Sequence, residues 1–140
     1  MTDNDIRELA DAFIACTLPK ARWTHEAHFA TALWLILRRP DIAPERDMPD
    51  LIRRYNASVG GVNDDHSGYH ETITQASLAM ARKLLATLPA DATPAAALGA
   101  LMASRLGDKD WPFDHWSRET LMAPPARRGW VDPDLRPLLL

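Results

Sequence analysis

Four of the chain's five histidines fall in two short blocks, Trp23-Thr24-His25-Glu26-Ala27-His28 and His66-Ser67-Gly68-Tyr69-His70-Glu71-Thr72. His25 and His28 are three residues apart, so on a helix they occupy neighbouring positions of one face. His70 adds a third imidazole, and Glu71 adds a carboxylate next to it. Three nitrogen ligands completed by a carboxylate or a water suit Zn, Fe, Ni or Mn. We therefore expect His25, His28 and His70 to hold one divalent transition metal. Glu71 would be a fourth ligand or a general acid/base, with His70 and Tyr69 beside it as catalytic groups. Tyr55, Asn63 and Trp23 are the expected substrate-binding residues.

The same residues support other chemistry. A helix N-terminus presents free N–H groups and the positive end of the macrodipole. Histidines there can bind a carboxylate or phosphate without metal, leaving His70 and Glu71 to move a proton in a lyase or isomerase reaction. A third reading is a non-enzymatic module for a small ligand or a protein, its histidines only capping and cross-linking helices. His25-Glu26-Ala27-His28 is one residue short of the i, i+4 pair of a zincin helix, and no Gly-x-Ser-x-Gly elbow or phosphate-binding glycine loop is present.

The elements that would position these groups are helices. Ile6, Leu9, Ala10, Phe13 and Ile14 follow i, i+3, i+4, i+7, i+8, and Pro19 ends the pattern. Thr24 is placed to cap a second helix that Pro40 stops. A third is expected from about Pro49 to Gly60-Gly61, with Leu51, Ile52, Tyr55 and Val59 inward. Ser67 is expected to cap a fourth, whose buried face carries Ile73, Ala76, Met80, Leu84 and Leu88. Thr93-Pro94 opens a fifth that closes at Gly107. Beyond Gly107, five of the eleven prolines and three of the five tryptophans mark a different texture. The fold expected is all-α: one domain over 1–140, with a bundle of about five helices over 1–107. A Pro/Trp-rich segment, 108–140, would wrap on it.

At 140 residues the chain can bury a core without disulfides. Its net charge of −3 argues against a nucleic-acid partner. No apolar stretch is long enough to span a bilayer. Met1-Thr2-Asp3-Asn4-Asp5 lacks the pattern of a signal peptide, and Cys16, the lone cysteine, fits a buried thiol in a reducing compartment. These features lead us to expect a cytoplasmic protein with a small-molecule substrate and no nucleic-acid or membrane partner. The aromatic tail leaves room for a homo-oligomer.

Together the blocks Leu18-Pro19-Lys20, Trp23 to Phe29, Arg54-Tyr55-Asn56, Gly61-Val62-Asn63, Ser67 to Thr74, Ala126 to Trp130 and Pro133-Asp134-Leu135 resemble an uncharacterised bacterial family of small helical proteins. That family carries WTHxAH and GYHET motifs, and the resemblance runs from about residue 18 to 135. Phe29 stands where such proteins often have leucine, and the Asp64-Asp65-His66 loop is more charged. The resemblance implies which residues matter and names no reaction.

Overall fold

The computed structural model describes all 140 residues and contains seven α-helices and no strand. Helix α1 (Asp3–Ile14) begins with a capping box: Thr2 accepts from the Asp5 N–H, and the Asp5 carboxylate accepts from the Thr2 N–H. Cys16 falls just beyond α1 in the left-handed region at φ 59° and is half-buried, not the fully buried thiol expected. α2 (His25–Arg38) starts where expected, with the Thr24 hydroxyl accepting from the Ala27 N–H.

Two helix starts differ from the sequence expectation, and α5 ends at Ala103 rather than Gly107. α3 runs Pro44–Ser58, so Pro44 is the first-turn proline and Pro49 lies inside the helix. Proline has no N–H to give the carbonyl four residues back, here Glu45. The Gln75 side-chain amide donates to that oxygen at 2.9 Å, which removes the usual objection to an internal proline. α4 (Glu71–Leu85) is capped by His70, not Ser67. Ser67 instead donates to the Val62 carbonyl and to Asp64, closing the 59–70 loop.

α5 (Pro94–Ala103) is followed by 3-10 turns at Arg105–Gly107 and Trp111–Asp114, then by α6 (Arg118–Leu121) and α7 (Pro124–Arg128). The segment after 107 does more than wrap. Trp111, Trp116 and Leu121 are buried in the same apolar cluster as Ile6, Leu33, Leu98 and Leu101, so one core draws on both sides of that boundary. A second cluster gathers Phe13, Leu18, Leu35, Met48, Tyr55 and Tyr69, and Trp34 and Ile36 pack against both. His115 anchors the C-terminus, its Nδ1–H meeting the Pro137 carbonyl at 2.9 Å. No helix is long and apolar enough to cross a membrane.

Candidate functional site

Of the three expected metal ligands, His25 and His70 are held by different backbone groups. Only an N–H can bond a carbonyl, so the contact of His25 Nε2 with the Leu106 oxygen at 2.8 Å fixes that nitrogen as a donor. His70 is more constrained. Its Nδ1 accepts from the Ile73 N–H at 3.1 Å, and its Nε2–H donates to the Leu121 carbonyl at 2.8 Å. This is one neutral tautomer with no lone pair left over. Burial pushes the imidazole below its ordinary value, the opposing effect of the Leu121 bond being smaller. His70 therefore cannot ligate a metal or act as a base without losing a helix cap. No group of three or more His, Cys, Asp or Glu side chains is placed to hold a metal ion. The residues as arranged do not fit the expected shared site.

His28 is the exception. Its ring stacks on Trp23 at 3.9 Å, and Trp23 stacks on Phe13 at 4.3 Å. Neither of its nitrogens bonds to protein, and two cavities meet at its side chain. The inner cavity, of about 240 Å³, lies between α2, α3, α4 and the Trp111–Asp114 turn; Phe29, Met48, Leu78, Trp111 and Phe113 make it apolar. The outer one, of about 380 Å³, is lined by Trp23, Asn56, Ser67, Tyr69 and His70 on the loop side. The two share His28, Ile52, Ile73 and Thr74 as walls. Burial, with His25 beside it, pushes the His28 imidazole down to about 4. The ring is also exposed to the water of the cavities, which offsets part of that desolvation. The direction holds: a neutral ring at pH 7, free to accept a proton.

Other expected residues have structural work instead. Tyr55 is fully buried, donates to the Leu18 carbonyl at 2.8 Å and lines neither cavity. Asn63 is a latch: its Oδ1 accepts from the Asn56 amide and the Tyr69 N–H, and its Nδ2 donates to the Arg53 carbonyl. Gly68, at φ +80°, passes so close that a Cβ would lie 2.4 Å from the Val62 oxygen. Arg127 ties this loop to α7 by donating to the Gly68 and Tyr69 carbonyls. Glu71 faces neither cavity; it accepts from the Tyr69 hydroxyl at 2.5 Å and from Gln75 at 3.3 Å. Burial first, then the Glu71 carboxylate, raises the Tyr69 phenol well above its ordinary value, so it stays a donor. Of the expected site residues, Trp23, His25, His28, Tyr69 and His70 line the cleft, while Tyr55, Asn63 and Glu71 support it.

Sequence reasoning missed Lys20, Thr74, Lys109, Trp111 and Phe113 as cleft residues. Thr74 and Ser77 did leave a signal, as polar residues on the inward face of α4 that Ile73 shares. Ser77 makes no side-chain bond within the protein and also lines the inner cavity. A larger hollow of about 640 Å³ lies under the C-terminal tail, but Arg105, Asp114, His115 and Arg136 there are already partnered with one another or with backbone.

No protein-family model matches the chain, and no curated protein or solved structure is significantly similar to it.

Proposed function

We propose that the protein acts on a small molecule bound in this two-lobed cleft, with His28 as the acid/base group. The observation that carries the reading is that His28 alone among the histidines of the cleft is free of backbone bonds and positioned where both cavities meet. The imidazole is neutral at pH 7 and can take a proton from a substrate and return it, as a weaker base than free imidazole. The Trp23 stack fixes the ring plane, and its Phe13 neighbour fixes Trp23, so the base is preorganised without a carboxylate partner. Thr74 and Ser77 would orient the polar part of the substrate, and the apolar inner lobe would take its body and exclude water. No step needs a metal in this account, and the lone Cys16 fits a reducing, cytoplasmic setting.

A second reading, a ligand-binding module without catalysis, is favoured by the absence of any carboxylate facing His28 across the cleft. One experiment separates the two. Wild-type protein and His28→Gln are each incubated with a small-molecule cell extract, and the mixture is followed by mass spectrometry. The enzyme reading expects at least one compound to be consumed and a product to appear with wild type only. Compounds retained by the protein but never converted would leave the binding module as the better account.

A further inference from the structure

We infer that the cleft takes an organic anion: a carboxylate carried on an apolar body that fills the inner lobe. The inference rests on the cleft being the site, and it is carried by charge. The chain has only three lysines, and two of them, Lys20 and Lys109, line the cleft, one at each cavity. Neither makes an ion pair; every ion pair in the molecule is made by an arginine. Asp108 and Asp110, which flank Lys109, turn to Arg105 instead.

None of the 19 acidic residues lines either cavity, although the protein as a whole is acidic. A cationic ligand would therefore find no counter-charge, and its desolvation would go uncompensated. A neutral ligand would leave both cations unused at the edge of an apolar hollow. An anion meets ammonium groups that no carboxylate of the protein has claimed, and each can give it a charge-assisted hydrogen bond. The inner lobe's aromatic and aliphatic lining sets the other half of the ligand. At about 240 Å³ it admits a short acyl chain or a single ring rather than a polymer end or a nucleotide.

The test uses three probes that share a chain and differ only at the head: octanoate, 1-octanol and octylamine. Each is titrated into the full-length protein by calorimetry, with Trp23 and Trp111 fluorescence as a second reporter of cleft occupancy. Octanoate is expected to bind about tenfold or more tighter than octanol, with octylamine weakest. Lys20→Gln and Lys109→Gln, both at exposed positions, should show which lysine meets the carboxylate, and the double variant should bind octanoate and octanol alike. Equal binding of the two by wild type, tighter binding of octylamine, or a preference that survives in the double variant would overturn the inference while leaving the cleft as the site. Failure of all three probes to bind a folded protein would overturn the cleft reading as well.

Discussion

His70 and His28 are the same residue type with opposite assignments. His70 has one nitrogen accepting and the other donating to the backbone, and this double role makes it a structural cap. His70→Ala should therefore destabilise the protein by about 1–3 kcal/mol, from a lost N-cap and an unpaired Leu121 carbonyl. His70→Asn, which can still accept from the Ile73 N–H, should recover part of that loss in urea denaturation. Equal stability of wild type and His70→Ala would refute the assignment. His28 makes no such bonds. By NMR its ring should titrate below 6.5 in the folded protein, and a midpoint at or above 6.5 would contradict the downward shift. The sequence shows both histidines but not this difference. His25 and His70 meet carbonyls 81 and 51 residues away, and no local pattern encodes those partners.

At the scale of elements, α3 and α4 are joined through an internal proline. Because Pro49 leaves the Glu45 carbonyl free, Gln75 satisfies it, while Arg82 pairs with the Glu45 carboxylate two turns further along α4. Gln75→Leu should cost about 0.5–1.5 kcal/mol by removing the side-chain donor to that solvent-facing carbonyl. In a Pro49→Ala background the helix can supply its own N–H, so the same change should cost measurably less. A double-mutant cycle by chemical denaturation reads the coupling, and strict additivity would show that the Gln75 bond does not answer the proline. The C-terminal turns belong to the core by the same kind of argument. Trp116 is fully buried, and its indole N–H donates to the Val131 carbonyl at 2.9 Å. Trp116→Ala should lower stability by about 3–5 kcal/mol, whereas a segment merely laid on the surface would lose far less. Helix existence was readable from apolar periodicity, which is local. The start of α3 was misplaced because the rule against internal proline assumes that the orphaned carbonyl has no other donor.

The whole molecule carries the consequences of these groups in its acid stability. His28 and His70 both have folded values below the ordinary 6.5, chiefly from burial. Between those folded values and 6.5 the unfolded chain binds protons that the native state does not, so stability rises with pH there. On acidification, stability should fall below about pH 6.5 and continue falling toward 4. Asp47 and Asp134 are held down to about 2 from 3.8 by hydrogen bonds from Arg46 and Ser117 respectively, so their contribution is lost separately, as pH falls below about 4. Thermal melts from pH 8 to 3 should resolve the two windows, and His28→Gln should flatten only the upper one. A melting temperature independent of pH between 7 and 5 would rule out depressed histidines in the folded state.

Local order determines what the sequence alone could settle here. Caps such as Thr2 and Thr24, helix-ending prolines and 3.6-residue periodicity act within a few residues, and they specified an all-α chain and placed two histidine blocks at helix starts. What those histidines do depended on groups brought together by the fold: the Leu106 and Leu121 carbonyls, the Trp23 stack, and Trp111 and Phe113 closing the inner lobe. Imidazole is donor, acceptor or base according to which neighbours reach it, and those neighbours come from distant parts of the chain. The tertiary structure therefore took three candidate ligands, tied two to the backbone, and left His28 open to the cleft.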